Sequence, residues 1–479
     1  MKKMALILVI LVTLPALKIN GEINFDDYFV DKTMRVDFYM TGNFDEEEIT
    51  LDQIYETDGW AGNPKKVTEN MNNGSYCIKI YSINSNELIY TYGFSCIFPE
   101  YKTTRPGRDG IKKTYHESAL FPRPKAPVLF VIESRDRKNI LHPIFIEKID
   151  PADLNIIKEK PGVDVKVFEA LKNGPAHSKV DFAFVSEGYT ANQYEKFTKD
   201  VNHFTEILFR AEPFKSNKEK FNVYGVFKAS SEEGVDEPRE GKFRKTAVSA
   251  AYNALDLDRY LLVDDNKAMR DIASAVCYDS IIVLANTSRY GGGGIYNNYT
   301  VFTSDNNRSE GIFIHEFGHG FGGLADEYFG GVAYEEFYAP EVEPLEANIT
   351  ALLDPNNVKW KHLLSPGIPI PTPWGQDEIS ELEAERNKNR EQLRATDISE
   401  EKIKELEERN RQIREQIRGV RSKCEELYNG KVGVFEGAGY QVKGLYRSEI
   451  TIGSFDNKTF KHGPVSEEAI IKVINHYAD

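Results

Sequence analysis

The sequence predicts an α+β protein in which an N-terminal β-sandwich precedes a mixed α/β domain with an inserted helical hairpin. Residues 25–148 contain short runs of alternating β-branched or aromatic and polar residues, separated by turn residues. Between residues 165 and 479, apolar strands alternate with helical segments, as in a sheet covered by helices. Within that second domain, residues 376–426 are strongly charged and favour helix.

Residues 1–20 are predicted to be a secretory signal peptide. Lys2 and Lys3 precede an apolar run from Met4 to Leu14, which is too short to span a bilayer. The alternative is a buried N-terminal strand. We expect a secreted, periplasmic or cell-surface protein, because no later segment is apolar enough to be a transmembrane helix.

The predicted β-sandwich carries no recognisable site chemistry. Its strands include residues 35–40, 76–81 and 128–132. Cys77 and Cys96 are interpreted as either a disulfide or two unrelated buried thiols. His116 and Glu117 are interpreted as a surface or interface pair. We expect an accessory role for this domain, through packing on the second domain or through substrate binding.

The second domain is predicted to alternate strands with helices. Strands are expected at 180–185, 221–227 and 280–285, and helices at 191–210 and 265–275. The four glycines at 291–294 lack the residues that complete a phosphate-binding loop, so they are interpreted as a flexible turn. The next strand, 295–302, is expected to form an exposed sheet edge to which an extended peptide could add.

The charged segment 376–426 is predicted to be a helical hairpin with its turn at 395–397. Apolar residues in its second half follow a three-four spacing, with asparagine at one position of the stripe. The stripe consists of Ile403, Leu406, Asn410, Ile413, Ile417 and Val420. The hairpin is either a solvated decoration or a docking surface for a partner or substrate.

Charge and cysteine content exclude some classes of partner and site. The chain has 479 residues, a formal net charge of −15 and a pI near 5.3. An acidic protein is not attracted to nucleic acid or to anionic membranes, so neither is expected as a partner. The four cysteines include no CxxC pair, which argues against a thiolate metal site.

The strongest functional signal is the motif HEFGH at residues 315–319. Two histidines four residues apart on a helix lie on one face, so His315 and His319 can bind the same metal ion. Catalytic zinc takes three protein ligands and leaves a position for water, and Glu316 is suitably placed to act as the general base. The alternative is that the histidines are ordinary surface or core residues.

The residues around the motif predict a helix that ends soon after it. Ser309 and Glu310 are typical of a helix start. Gly322 or Gly323 is predicted to end the helix in a left-handed conformation. An apolar stripe on a separate helix face consists of Ile314, Phe317, Phe321 and Leu324.

Asp326 is predicted to be the third metal ligand, because the chain must turn back towards the metal after the glycines. Glu327 is the nearest alternative. A further alternative is Glu335 or Glu336 from a second helix, as in thermolysin-like enzymes. That arrangement needs the first helix to continue past His319, which the adjacent glycines oppose.

Two motifs together resemble the IgA-peptidase family of secreted bacterial zinc metallopeptidases. They are HEFGHGFGGLADEY, which begins at His315, and FEGAGY at 435–440 followed by GLYR at 444–447. The likeness covers roughly residues 25–479 apart from 376–426, including a β-rich N-terminal domain. It implies a zincin fold related to the metzincins, with zinc bound by His315, His319 and Asp326 and with Glu316 as the catalytic residue.

The resemblance further implies that the segment 435–447 forms the floor and wall of the site. Tyr440 or Tyr446 would there either donate a hydrogen bond to the oxyanion or, more simply, pack in the core. All six methionines lie at or before Met269. The methionine turn that metzincins carry beneath the metal must therefore be replaced by other side chains after Arg447.

The sequence thus predicts a secreted zinc metalloendopeptidase that hydrolyses peptide bonds of extracellular protein or peptide substrates, with Zn²⁺ as its cofactor. One alternative is a non-catalytic surface binding protein that retains a structural zinc site. Another is a zinc amidase that acts on cell-wall or glycan amides. Nothing in the sequence indicates immunoglobulin as the substrate.

Overall fold

The N-terminal strands form two antiparallel sheets, which pair in the orders β2-β1-β5 and β4-β3-β6-β7. The computed structural model describes residues 23–158, 164–328, 337–393, 399–450 and 461–479. The predicted signal peptide lies outside these residues. The N-terminal elements are α1 (Phe25–Tyr28), β1 (Phe29–Gly42), β2 (Glu47–Asp58), β3 (Tyr76–Ser82), β4 (Leu88–Phe94), α2 (Phe98–Thr103), α3 (Arg105–Arg108), β5 (Lys113–Pro124), β6 (Val128–Arg135) and β7 (Leu141–Ile149).

One apolar core lies between these two sheets. On β1, alternate side chains from Met34 to Met40 are fully buried, and they share a cluster with inward residues of β3 and β6. This alternation is the pattern expected when two sheets cover each other on one face. Cys77 and Cys96 are buried free thiols, so the disulfide interpretation is wrong.

A mixed sheet forms the centre of the rest of the chain, in the order β14-β15-β13-β9-β10-β8. β15, β13, β9 and β10 are parallel, and the two outer strands are antiparallel to their neighbours. The elements are β8 (Lys166–Leu171), β9 (Val180–Glu187), α4 (Tyr194–Leu208), β10 (Phe221–Phe227), β11 (Ala250–Ala251), β12 (Leu262–Val263), α5 (Asn266–Ala273), β13 (Ser280–Ala285), β14 (Gly292–Ile295), β15 (Tyr299–Thr303) and α6 (Ser309–Gly320).

Both faces of the mixed sheet are covered, because its central strands are apolar on both sides. Every residue of β9 and β10 is buried. One face packs against α4 and α6, and the other against α5. The predicted α+β class is therefore confirmed, with antiparallel sheets first and a helix-covered mixed sheet after them.

The last part of the chain contains a small sheet, in the order β16-β18-β17, and two long helices that contact each other. The elements are β16 (Ile349–Thr350), α7 (Gln376–Leu393), α8 (Glu400–Tyr428), β17 (Phe435–Ala438), β18 (Gln441–Arg447) and α9 (Pro464–Tyr477). Between α7 and α8, the buried Asn389 side chain donates to Asn410 Oδ1 at 3.0 Å. The predicted turn at 395–397 lies outside the described residues.

The glycine run forms the edge of the mixed sheet, which corrects two sequence predictions. Gly292–Ile295 is strand β14 rather than a flexible turn, and β15 lies between β14 and β13 rather than at the edge. The physical reason is the closeness of α6. A Cβ on Gly292 would lie 2.8 Å from Glu316 Cγ, and one on Gly294 would lie 2.0 Å from Glu316 O. Only glycine lets this strand approach the helix so closely.

Replacement of Gly294 by alanine is expected to lower the free energy of unfolding by about 1–3 kcal/mol, since the new Cβ must displace the backbone of α6. Chemical denaturation would measure the change. Gly419→Ala in α8 is the matched control, because no atom lies within 4 Å of a Cβ there. Alanine favours helix over glycine by about 1 kcal/mol, so this control should be stabilised. Equal effects of the two changes would contradict the close packing.

Polar contacts join the N-terminal sheets to the elements around the mixed sheet. Arg35 Nη2 lies 2.6 Å from Asp271 Oδ1, and the Asn298 side chain donates to Glu117 Oε2 at 2.9 Å. His116 Nδ1 lies 3.1 Å from Asn266 Nδ2, so His116 and Glu117 are interface residues. Among the described helices, none combines the length and apolar character needed to cross a membrane.

Candidate metal centre

Helix α6 presents two imidazoles side by side. The Nε2 atoms of His315 and His319 lie 3.2 Å apart, one helical turn separating the two residues. The predicted apolar stripe is buried, and Phe317 packs edge-on against Phe182 of β9 with 5.0 Å between ring centroids. Burial of one helix face against the sheet leaves the histidine face directed at a cavity.

The start of α6 differs in detail from the sequence prediction. Ser309 is the first helical residue, but it does not cap the helix. Its Oγ instead accepts a hydrogen bond from the backbone N–H of Asn306. Glu310 lies in the first turn, as predicted, where a carboxylate is favoured by the helix dipole.

The chain turns back immediately after α6 and brings Asp326 to the histidines. Gly323 has a φ of +61°, and its N–H donates to His319 O at 3.1 Å, so the glycine end of the helix is confirmed. Asp326 Oδ1 lies 3.2 Å from His315 Nε2 and 3.3 Å from His319 Nε2. Three donor atoms from a short stretch of chain therefore converge on one point.

The spacing of these donors fits a tetrahedral metal ion. Bonds of about 2.0–2.1 Å in tetrahedral geometry separate two ligands by about 3.3 Å. The three distances among His315, His319 and Asp326 are 3.2, 3.2 and 3.3 Å. Two imidazoles and a carboxylate are also a donor set typical of zinc.

Hydrogen bonding assigns the tautomer of His319. Its Nδ1 lies 2.6 Å from the carbonyl oxygen of Leu324, which can only accept, so Nδ1 carries the proton. Nε2 of the neutral ring is then available to a metal. Burial opposes the charged form of Asp326, but without a metal the positive charge of a protonated His319 and hydrogen bonds from His315 and His319 hold the pKa of this carboxyl well below its usual range. The carboxylate is thus ionised and ready to bind a cation.

The FEGAGY segment holds Asp326 from the opposite side. The Tyr440 hydroxyl donates to Asp326 Oδ2, and the Gly439 N–H donates to Asp326 O at 2.8 Å. Gly437, Gly439 and Tyr440 all have positive φ values, of 99°, 54° and 67°. The left-handed backbone conformation is strained for a tyrosine. In this conformation, the Tyr440 ring reaches the Asp326 carboxylate.

A buried asparagine fixes the residue before the aspartate. Asn348, 1% exposed, accepts from Ala325 N–H and donates to Ala325 O, both at 2.9 Å. The adjacent Glu327 is placed elsewhere: burial raises the pKa of its carboxyl to about 7, and Glu449, Asn348 and Arg447 surround it. Of the alternatives for the third ligand, Glu327 is therefore not with the histidines, and Glu335 and Glu336 lie outside the described residues.

Glu316 faces the same cavity from the helix turn between the histidines. His315, Glu316 and His319 all have a donor atom within 4.8 Å of one another. Burial raises the pKa of the Glu316 carboxyl, an effect that the imidazole of His315 partly offsets. A desolvated carboxylate beside the donor cluster is a suitable proton acceptor.

The cavity has a volume of about 260 Å³ and is lined by distant parts of the chain. Its lining includes residues of α6 and β14, residues 323–326, Tyr328, residues 337–338 and 345–346, and Tyr440. N-terminal residues 73–75, 95–96 and 99–100 also line it. An accessory role in packing or substrate binding was expected for that region, but none of these cavity residues was predicted from the sequence.

A buried histidine lies behind the motif and was also missed. A Cβ on Gly318 would meet His462 Cε1 at 3.0 Å, which accounts for glycine between the two motif histidines. The His462 ring also packs 6.3 Å from that of Phe214. Residues 451–460, within the stretch expected to replace the methionine turn, lie outside the described residues.

Two family models match this chain. The family model described as IgA Peptidase M64 matches residues 168–474, and the model described as Peptidase M64 N-terminus matches residues 24–146. A search of curated proteins gave no match. Membership implies a peptidase that acts on protein substrates, and it suggests a metal cofactor. The two matches span most of the chain, which therefore belongs to the IgA peptidase M64 family.

Proposed function

We propose that the protein is a secreted zinc metalloendopeptidase that uses Glu316 as its general base. The observation that carries this proposal is the convergence of His315, His319 and Asp326 at tetrahedral spacing, with Glu316 beside them. A purely structural zinc site needs four closed ligands, whereas three ligands in an open cavity leave a position for water.

The chemistry divides between the metal and the side chains. Bound zinc would polarise the scissile carbonyl and lower the pKa of water to about 7. Glu316 lies on the cavity side of α6. It can therefore accept the proton from the attacking water and deliver it to the leaving amine. Asp326 and the two imidazoles hold the cation, and Tyr440 keeps the Asp326 carboxylate oriented.

Tyr328 is our candidate for the residue that stabilises the oxyanion. Its ring stacks against that of His315 with 6.4 Å between centroids, and Arg259 Nη2 donates to its hydroxyl at 3.3 Å. Burial raises the pKa of Tyr328, so its hydroxyl keeps a proton at neutral pH and can donate it. Tyr440 and Tyr328 both hydrogen-bond to Asp326, but only Tyr328 also stacks on the ring of His315, whereas Tyr446 packs in the cluster around Trp360.

Strand β14 is the proposed docking edge for an extended substrate. It is the last strand of the mixed sheet on the side of the cavity, and Gly292 and Gly294 line that cavity. Gly292 O already accepts a hydrogen bond from Leu261 N–H at 3.3 Å. A substrate peptide would therefore pair with the part of β14 that follows Gly292.

Tyr440→Phe is expected to weaken zinc affinity by about 10- to 100-fold, as removal of an outer partner of a metal ligand typically does. The change deletes the hydroxyl that orients Asp326 and keeps the ring. Competition with a fluorescent chelator would measure it. Tyr446→Phe is the matched control, and unchanged affinity in Tyr440→Phe would contradict the role given to this hydroxyl.

Cleavage of casein by the purified protein tests the proposed function. Activity should disappear with a strong chelator and return with stoichiometric zinc. Zinc binding without any cleavage would instead favour the non-catalytic binding protein. Release of products from peptidoglycan but not from peptides would favour the amidase.

Export remains part of the proposal on sequence grounds. Lys2, Lys3 and the apolar run to Leu14 support a signal peptide. Recovery of the protein from the culture medium or periplasm, with a mature N-terminus near residue 20, would support it. A protein that stays in the cytoplasm and still carries residues 1–20 would contradict it.

A further inference from the structure

A short helix of the N-terminal region brings a carboxylate to the cavity. Phe98 and Tyr101 of α2 are buried in the core between the two N-terminal sheets, and the Tyr101 hydroxyl donates to Ile111 O at 2.8 Å. These contacts hold α2 rigidly, and Glu100 projects from it into the lining of the cavity that contains Glu316.

Glu100 is oriented by a neighbour from the other side of the cavity. The Tyr260 hydroxyl lies 3.2 Å from each of its carboxylate oxygens. Tyr260 also belongs to the cavity lining, and it pairs with Gly292 of the edge strand β14. The carboxylate is therefore held beside the edge proposed for substrate binding.

The charges that act on this carboxylate come from the candidate metal centre: Asp326 and Glu316 oppose its ionised form, and His319 favours it. Within the described ranges, no lysine or arginine nitrogen lies within 4 Å of Glu100. Burial raises the pKa of its carboxyl to about 7, an effect that the hydrogen bond from Tyr260 partly offsets. Glu346, another cavity carboxylate, differs in this respect: burial raises the pKa of its carboxyl, and the charge of Lys359 partly offsets that rise.

We propose that Glu100 is a specificity-determining residue that binds a cationic group of the substrate peptide beside the reacting bond. The group is the side chain of lysine or arginine, or the ammonium group of the peptide's amino terminus. This inference rests on the proposed peptidase function. A cation seated there supplies the charge-assisted partner that the protein itself leaves out, while Tyr260 fixes the direction of approach.

The N-terminal region would then take part in substrate selection. A peptidase domain alone would lack Glu100, although it would contain the three metal-binding side chains and Glu316. The preference for a basic group is therefore a property of the whole chain, because two distant segments form the cavity together.

Paired peptides test this inference. One series of hexapeptides has blocked termini and carries lysine or norleucine at each position in turn, so that only the charge differs. A second series contains norleucine and has either a free or an acetylated amino terminus. Cleavage is measured with the wild type, Glu100→Gln and Glu48→Gln, and binding is measured with the zinc-loaded Glu316→Ala forms of all three. Glu48 is an exposed carboxylate of the N-terminal sheets and serves as the charge-matched control.

The wild type and Glu48→Gln should prefer one of the two cationic series by roughly tenfold to a hundredfold in kcat/KM or in affinity, the worth of a charged hydrogen bond. Glu100→Gln should reduce that ratio to near one while its zinc content stays at one per chain. The series that shows the preference identifies the source of the cation. A ratio unchanged in Glu100→Gln, or a wild type without preference, would overturn the inference and leave the peptidase proposal standing. A charge preference in binding without cleavage by the wild type would overturn the peptidase proposal instead.

Discussion

Glu316→Ala is expected to retain zinc but to lose cleavage activity by about 10²- to 10⁴-fold, the usual contribution of a general base. Glu316 is the carboxylate between the two imidazoles on the cavity side of α6. Asp326 and the two histidines converge without its participation, so the metal should remain bound. Casein cleavage and zinc content, measured on the same preparation, would separate the two effects.

Glu310→Ala provides the control for this change. Glu310 lies in the first turn of the same helix, half exposed, and faces His203 Nε2 at 3.2 Å on the surface. Its loss should leave cleavage nearly unchanged. Wild-type activity in Glu316→Ala would exclude Glu316 as the proton acceptor, and loss of zinc would mean that it acts as a ligand.

Asp326→Ala should reduce zinc affinity by more than about a hundredfold. This is a larger loss than we expect when the residue removed contacts a metal ligand but does not bind the metal itself. The change removes the donor that completes the triangle with His315 and His319. Activity should fall with zinc content and recover only partly at high zinc concentration. Titration of the metal-free protein with zinc, followed by calorimetry, would measure the affinity.

Glu327→Gln tests the neighbouring carboxylate that the sequence also offered as a ligand. Glu327 lies near Arg447 and Asn348 and does not belong to the described lining of the cavity. This variant should bind zinc like the wild type. If Glu327→Gln lost zinc and Asp326→Ala kept it, the assignment of the third ligand would have to be reversed.

The features of α6 that depend on residues close in sequence were predicted correctly. The spacing of His315 and His319, the buried stripe through Phe317 and the glycine end at Gly323 are all set within one or two helical turns. Asp326 follows directly from that turn. These features are local, so patterns of residue type suffice to predict them.

The prediction for the edge strand β14 was wrong because the strand depends on a contact with α6, which lies outside the glycine run. Glycine has low strand propensity, so four in a row indicate a turn. Gly292 and Gly294 are necessary because α6 lies against the strand: a Cβ on Gly292 would meet the Glu316 and Ile312 side chains, and one on Gly294 would meet the Glu316 backbone. A pattern within the run itself contains no sign of that helix.

Partners of the site that come from distant segments were missed for the same reason. Asn348, Glu100 and His462 are single polar residues without a recognisable motif around them. The resemblance drew attention to Tyr440, but its contact with Asp326 became evident only from the geometry. A residue's position in the chain does not indicate which distant segment it will contact.

Tyr440 and α9 lie far along the chain from the residues that they support. Asp326 depends on hydroxyl and backbone contacts from residues 439–440, and α6 depends on apolar cover from Ile470 and Ile474. A growing polypeptide that has only just passed residue 326 has both histidines but none of these supports. These contacts can form only after residues 439–440 and α9 have been synthesised, so the support of the metal-binding side chains depends on nearly the whole length of the chain.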